Sequence, residues 1–379
     1  MRILHLGKYY PPAPGGIEYF VRDLAVEQAR RGHEVAALVH QGTAGPAAAE
    51  GVAVHSVRVL GHLAHAPLSP GLVPALARLL REFKPHVLHL HLPNPSAFAC
   101  LLHACLPILV IHWHADAASS AQTGRGGLAM AALYPLYRRC EAALLRRADA
   151  IIATSPPYLD ASQPLAAVRA ACHVAPLGLD QTRLPTSDAL PRGCDRPLVL
   201  AVGRFAFYKG FEYLIKAAAQ LPQADFCIVG DGPLWPALCA RVRQAGLEGR
   251  VQLPGRLDEP ALAALFGQCD VFCLPSIDRS EAFGLVLLEA MASGKPLVTT
   301  SIPGSGVGWV NVDHVTGLSV PPADANALAE ALGRLLNDPR LRERMGRAGK
   351  ERFERLFRIE AVAAQIQDIY EGARGEPRP

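Results

Sequence analysis

Two glutamates, Glu281 and Glu289, stand in the segment Ser280-Glu281-Ala282-Phe283-Gly284-Leu285-Val286-Leu287-Leu288-Glu289-Ala290-Met291-Ala292-Ser293-Gly294-Lys295-Pro296. The pattern predicts a loop carrying Glu281 and a helix that opens at Gly284 and ends at Ser293. Gly294 then serves as a left-handed cap, with Pro296 beyond it. The first-turn amides of Gly284, Leu285 and Val286 have no intrahelical partners. Together with the positive end of the helix dipole they make an anion site that suits a diphosphate. Glu281 sits beside that anion. Glu289, about one and a half turns further on, can accept hydrogen bonds from vicinal hydroxyls. An isolated pair of glutamates at this spacing is usually an ordinary surface helix; the whole string is far more specific.

Other chemistry-bearing residues are spread along the chain. Gly15 and Gly16 follow a first strand and a proline-rich turn, where glycine lets backbone amides approach a ligand closely. The spacing is not GxGxxG, so a dinucleotide fingerprint is absent. His112, His114 and Asp116 close an apolar run, at the carboxyl end of a strand, where α/β proteins build sites. His89 and His91 alternate on one face of another strand. Four histidines so spaced raise a metal site as an alternative, but no Asp-x-Asp element accompanies them, and lining a cleft or packing on the next strand is the simpler expectation.

These residues need a frame. Apolar runs at Arg2 to Leu6, Val35 to His40, His86 to Leu92, Ile108 to His112, Ala150 to Thr154 and His173 to Ala175 read as strands. Glu18 to Arg31 reads as a helix. Strand–helix alternation with near-continuous apolar strands implies a doubly wound parallel sheet. Residues 181 to 197 lack periodicity and read as a linker. The alternation then restarts, with strands at Leu198 to Val202, Phe226 to Val229, Val251 to Leu253, Val271 to Leu274, Leu297 to Thr299 and Gly317 to Val320, and a helical tail at Leu341 to Ala373. Two α/β domains are expected, 1–185 and 186–358, followed by a terminal helix at 359–379.

The segment around Glu281 resembles the signature of retaining glycosyltransferases of the GT-B fold, in particular glycosyltransferase family 4. Further pieces occur in the family's order: Val202-Gly203-Arg204-Phe205 with Lys209-Gly210, Val229-Gly230-Asp231-Gly232-Pro233, Pro254-Gly255-Arg256, and Pro14-Gly15-Gly16-Ile17-Glu18. The resemblance covers essentially the whole chain. It implies two Rossmann-like domains facing a cleft, a terminal helix at 359–379 that crosses back to the first domain, and transfer of a sugar from a nucleotide-diphosphate donor with retained configuration, without a cofactor or a bound metal.

By the same resemblance Arg204 and Lys209 hold the diphosphate, against the plainer alternative of a solvated basic pair. Cations there favour a leaving group whose charge grows as the glycosidic bond breaks. His114 contacts the transferred sugar. Glu281 holds sugar hydroxyls rather than forming a covalent intermediate, so front-face substitution is preferred to double displacement. Gly15, Gly16, Gly203, Gly230, Asp231, Arg256, Phe283, Gly284, Leu285, Val286 and Glu289 are the expected donor-binding set. Asp116, His89 and His91 are expected on the acceptor side. The family often places a basic residue about three positions after the histidine motif; here Ala117, Ala118, Ser119 and Ser120 follow instead. The opening motif, with HLHLPNPSA and WHAD, resembles bacterial enzymes of O-antigen and polysaccharide synthesis. That points to GDP-mannose or GDP-rhamnose as donor, UDP-sugars next, and a lipid-linked glycan as acceptor. Rival readings are a sugar-nucleotide-binding protein without catalysis, and another GT-B enzyme such as a non-hydrolysing epimerase or a disaccharide phosphorylase.

Composition agrees with such a protein. Of 379 residues, 50% are hydrophobic and 19% charged, which suits packed domains rather than disorder. The net charge of +4 lies in the first half, where 16 Lys and Arg face 12 Asp and Glu through residue 190. That is too weak for nucleic acid but could help docking on an anionic membrane. The helix containing Tyr134, Arg138, Arg139, Arg146 and Arg147 reads equally as a membrane-surface helix or a solvated face. The nine cysteines include no CxxC pair and read as reduced thiols. The first residues lack signal-peptide character, so a cytoplasmic protein is expected.

Overall fold

The computed structural model describes residues 1–41, 50–63, 66–117, 127–183 and 196–375. Most of the linker expected at residues 181 to 197, and Ala118, Ser119 and Ser120, lie outside them. Two compact units make up the chain: Met1–Gly178 with Ile359–Pro379, and Leu179–Arg358.

Unit 1 carries β1 (Arg2–Leu6), β2 (Glu34–His40), β3 (Val52–Val57), the small hairpin β4 (Gly61–Leu63) and β5 (Ala66–Leu68), β6 (Val87–Leu92), β7 (Ile108–Trp113), β8 (Ala150–Ala153) and β9 (Cys172–Val174). Seven of these form a parallel sheet in the order β3-β2-β1-β6-β7-β8-β9. β6 is buried at every position, which explains its unbroken run of Val, Leu and His. A strand covered on both faces has no solvent side for a polar alternation to mark. The helix Ile359–Gly375 completes the unit. Gly178 packs so closely on it that an added Cβ would lie 3.0 Å from the Ile359 Cα.

Unit 2 contains β10 (Leu198–Val202), β11 (Asp225–Val229), β12 (Val251–Gly255), β13 (Val271–Leu274), β14 (Leu297–Thr300) and β15 (Gly317–Val320). All are parallel, in the order β12-β11-β10-β13-β14-β15. Its core gathers Phe205, Phe211, Leu214, Phe226, Val271 and Leu332. The order reverses between β10 and β13, and in open α/β sheets ligands bind outside the carboxyl ends of the strands at such a switch point.

One expectation needs correction. The helix expected from Gly284 begins at Val286, because Gly284 stands at φ +79° and cannot take helical geometry. The charged tail forms two helices, Pro339–Leu356 and Ile359–Gly375, the second opening where the terminal helix was expected. The strand β3 and the hairpin β4–β5 were not expected; β3 is an edge strand with no fully buried residue, so no apolar run betrays it.

Candidate active site

In unit 2 the switch point collects the motif residues. The loop after β10 carries Gly203, exposed Arg204 and buried Lys209. Gly210 follows at φ +63°, where an added Cβ would lie 2.2 Å from the Pro275 carbonyl oxygen. That close approach seats the Lys209 loop on the end of β13, and the Ile277 amide donates to the Tyr208 carbonyl at 2.7 Å. Lys209 Nζ then donates to Glu281 Oε2 at 2.5 Å, and Ser276 Oγ donates to the same oxygen at 2.8 Å. Both charges are nearly removed from water, with Lys209 8% and Glu281 7% exposed. Burial works against the Lys209 ammonium, but the carboxylate, Tyr208 and the hydrogen bond to Glu281 outweigh it, and its pKa is raised.

The loop of Glu281 is strapped from behind. Thr300 Oγ1 donates to the Ser276 carbonyl, Ser305 Oγ to the Glu281 carbonyl, and the Gly306 amide to the Ala282 carbonyl at 2.8 Å. The chain then turns at Gly284. No carbonyl among the described residues takes up the amides of Gly284, Leu285 and Val286. They remain donors beside the Lys209–Glu281 pair in sequence and loop. Half-buried Glu289 lies in the helix Val286–Ala292, which closes as expected: Gly294 is left-handed at φ +67°, and the Lys295 amide donates to the Ala290 carbonyl at 2.9 Å.

Gly230 and Asp231 end β11 beside Gly203. A Cβ on Gly230, at φ +151°, would lie 1.9 Å from the Gly203 carbonyl oxygen, so only glycine lets the two loops meet. The Phe205 amide donates to the Asp231 carbonyl at 2.9 Å, and the Gly230 amide to that of Gly255 at 3.0 Å. Arg256 follows β12 and is exposed. One sheet end therefore carries Arg204, Lys209, Asp231, Arg256 and Glu281.

In unit 1, β1, β6 and β7 bring five histidines together. His5 pairs in register with His89, and His91 with His112. His5, His89, His91, His112 and His114 are at most 3% exposed. Burial lowers the pKa of all five, to about 4 at His5 and about 3 at His114. The rings are therefore neutral near pH 7. His114 follows the end of β7. Its amide donates to the Leu92 carbonyl at 2.9 Å, and its ring Nε2 lies 3.0 Å from His91 Nδ1. Gly15, at φ +154°, caps the helix Gly16–Arg30.

Two matched segments set this geometry in a wider frame. Residues 15–178 match the model of the glycosyl transferase 4-like domain, and residues 186–352 that of glycosyl transferases group 1. The chain is 31% identical to O-antigen chain mannosyltransferase C of Escherichia coli, over 98% of both proteins. The chain belongs to the group 1 glycosyltransferases. Its identity to the D-rhamnosyltransferase WbpZ of Pseudomonas aeruginosa is also 31%, over 94% of this glycosyltransferase and 92% of the relative. Among solved structures, sucrose-phosphate synthase from Thermosynechococcus elongatus superimposes with a TM-score of 0.78 at 26% identity, covering 98% of each chain. The two parallel-sheet halves are those of a GT-B glycosyltransferase.

Several residues expected in the site of this transferase are placed in structural roles. The Phe283 ring is buried among Trp309 and Phe357, 6.3 and 6.1 Å away between centroids. It braces the Glu281 loop from the core side. His89 and His91, expected to meet an acceptor, are turned into the unit: His89 Nδ1 lies 2.6 Å from the Tyr370 hydroxyl, and His91 is bonded between His5 and His114. Asp116 Oδ1 accepts from Trp113 Nε1 at 2.9 Å and from Ser162 Oγ at 2.6 Å, which fixes the turn after β7. Ser276, Thr300 and Ser305 were missed, because small hydroxyl residues in loops carry no spacing signal. His5, Gln28 and Tyr370 were missed as well, although the HxH alternation at His89 and His112 showed that one sheet face collects imidazoles. Among the described residues no helix is long and apolar enough to cross a membrane.

Proposed function

We propose that this glycosyltransferase moves a mannose- or rhamnose-type sugar from a GDP-linked donor to a lipid-linked glycan in the synthesis of a cell-surface polysaccharide. The observation that carries the donor half is the buried Lys209–Glu281 pair on a strapped loop, followed by the acceptor-free amides of Gly284, Leu285 and Val286. Such an array stabilises a diphosphate whose charge grows on leaving. The mannosyl and rhamnosyl relatives support the sugar and the glycan class. UDP-sugars are the next candidates. His114 is the residue proposed to meet the transferred sugar, and Glu289 the one proposed to hold the nucleotide's ribose hydroxyls.

Retention by front-face substitution is the proposed course. Glu281 Oε2 already accepts from Lys209 and Ser276, and a carboxylate so neutralised is a weak nucleophile. Lys209, Arg204 and the three amides supply the positive character that a divalent ion would otherwise bring. Activity is therefore expected to persist in EDTA; complete loss restored by a divalent ion would contradict the metal-free reading.

The acceptor implies work at the cytoplasmic face of a membrane. The helix Gly127–Arg147 offers exposed Leu133, Leu136 and Arg139, whereas Arg138 pairs with buried Glu141 and Arg147 donates to the Cys100 and His103 carbonyls. Only part of its basic character is thus available to lipid.

A thermal-shift panel of GDP, UDP, ADP and dTDP sugars tests the donor. A ligand at 100 times its Kd stabilises by about 2.7 kcal/mol, so the cognate nucleotide stands out. No shift with any of them would remove the donor assignment. Incubating the responding donor with and without glycan acceptor separates transfer from simple binding, epimerisation and phosphorolysis. Glu289→Ala should weaken nucleotide binding by about 1.5–3 kcal/mol, the worth of a hydrogen bond to a charged group. Unchanged affinity in calorimetry would take Glu289 out of the site.

A further inference from the structure

The histidines of unit 1 form a chain of hydrogen bonds that reaches the last helix. His114 Nε2 lies 3.0 Å from His91 Nδ1, His91 Nε2 lies 3.0 Å from His5 Nδ1, and His5 Nε2 lies 2.7 Å from Gln28 Oε1. Gln28 Nε2 donates to the Tyr370 hydroxyl at 3.2 Å, and that hydroxyl lies 2.6 Å from His89 Nδ1. Every member is buried. The elements involved, β1, β6, β7 and the helices Gly16–Arg30 and Ile359–Gly375, all belong to unit 1.

A shared metal ion suits this cluster poorly. His91, His112 and His114 bring their ring nitrogens within 4.8 Å of one another. Their planes, however, are stacked at 0 to 19°, with His112 and His114 parallel at 4.4 Å between centroids. An ion about 2.1 Å from a ring nitrogen, near that ring's plane, is then displaced from the planes of its neighbours. The 3.0 Å contacts are those of hydrogen bonds between neutral rings.

A neutral imidazole has one donor and one acceptor nitrogen, so direction passes along the chain. An amide oxygen only accepts. His5 Nε2 therefore carries the proton, and His5 Nδ1 must accept. His91 then carries its proton on Nε2 and accepts at Nδ1. His114 in turn carries its proton on Nε2, and its Nδ1 is a bare lone pair, buried without a partner among the described residues. Rotating the Gln28 amide by half a turn would reverse every step and put the His114 proton on Nδ1. The distances oppose that reversal. A separation of 2.6 Å between Tyr370 and His89 suits an O–H donor, and 3.2 Å from Gln28 Nε2 to the hydroxyl suits an N–H donor. The 2.7 Å at His5 suits N–H to oxygen better than N–H to nitrogen.

We infer that Gln28, held by Tyr370 and acting through His5 and His91, fixes the tautomer of His114 so that Nδ1 is presented as a hydrogen-bond acceptor. Gln28, His5 and His91 are positioning residues. The inference rests on the proposed contact of His114 with the sugar: a lone pair at Nδ1 accepts from a sugar hydroxyl, whereas the opposite tautomer would offer a donor.

Two-bond proton–nitrogen NMR on the intact protein, with histidine labelled by nitrogen-15, reads the tautomers directly. At neutral pH, His5, His91 and His114 should all carry the proton on Nε2. A proton on Nδ1 of any of them, or a mixture, overturns the inference. Gln28→Leu removes the terminal acceptor and should leave His114 a mixture of tautomers. It should lower kcat about tenfold or more with nucleotide affinity unchanged, and Gln28→Glu should restore the single tautomer and most of the turnover. A Leu variant with His114 still protonated on Nε2 and full kcat would sink the idea; if that variant does not fold, the wild-type spectrum decides. His114→Ala separates the two readings. Transfer at the wild-type rate would remove His114 from the reaction and yet leave the tautomers of the intact protein as predicted.

Discussion

Lys209→Ala should lower turnover by roughly 100-fold or more, with a smaller effect on donor affinity. The reason is placement. Lys209 Nζ is held 2.5 Å from Glu281 Oε2 and its side chain is 10% exposed. A cation fixed in a low-dielectric site needs no reorganisation when charge develops on a leaving diphosphate, and its benefit is largest in the transition state. Its raised pKa keeps it protonated across the working range, so the loss should not depend on pH between 6 and 9. The same substitution strands Glu281, and breaking a buried pair costs about 3–5 kcal/mol of stability. Melting curves must therefore accompany the kinetics, with turnover compared at a temperature where both proteins are folded. Arg204 is exposed, and its guanidinium makes no hydrogen bond or ion pair among the described residues; only its carbonyl is engaged, by the Ala206 amide at 2.7 Å. It can move to meet a ligand, and Arg204→Ala should leave stability nearly unchanged. A Lys209→Ala enzyme with only a raised donor Michaelis constant would contradict the transition-state role.

The frame around that pair was largely open to reading from the chain. β1, β10, β13 and β15 fall where the apolar runs end, because strands buried on both faces leave continuous hydrophobic stretches. The string around Glu281, with Gly203 and Gly230, was legible through its resemblance to a family signature; the structural reason for glycine, a positive φ at Gly230 and Gly284, emerges only from the fold, and Gly284 was expected inside the helix it precedes. Supporting contacts were not. Ser305 lies 24 residues from the carbonyl it caps, and Tyr370 lies 342 residues from Gln28. Nothing in local spacing encodes such pairs. Side-chain direction was hidden as well. His89 and His91 are expected either on the acceptor side or packed on the next strand, and the alternation that puts them on one face of β6 cannot say that the helix Ile359–Gly375 covers that face with Tyr370. Phe283 shows the same limit. A residue inside a functional string can serve the core, and only the packing of Trp309 and Phe357 reveals which.

The histidine cluster should also make the protein lose stability in mild acid. In the unfolded chain a histidine titrates near 6.5. In the fold, burial holds His5 at about 4 and His114 at about 3, and lowers His89, His91 and His112 well below the ordinary value. The unfolded state therefore binds protons that the folded state refuses. Stability is complete above about pH 6.5 and falls as pH drops towards the folded values. At pH 5.5 a ring that stays neutral in the fold gives up about 1 kcal/mol, so His5 and His114 together remove about 2 kcal/mol, and His89, His91 and His112 act in the same direction, against the roughly 5–15 kcal/mol that keeps a protein folded. Denaturant midpoints at pH 7.0 and 5.5, with hydrogen exchange of β6 and β7 to assign the loss to unit 1, measure it. Equal midpoints at the two values would mean that the rings are protonated in the fold or reached by water. His112 offers the sharper test, since both its ring nitrogens are buried without a partner among the described residues. His112→Phe keeps a flat ring in the stack, removes two uncompensated polar atoms and deletes one titrating group. It should raise stability at pH 5.5 more than at pH 7.0, by about 1 kcal/mol. A variant equally destabilised at both values would show that His112 is held by polar contacts rather than by stacking alone.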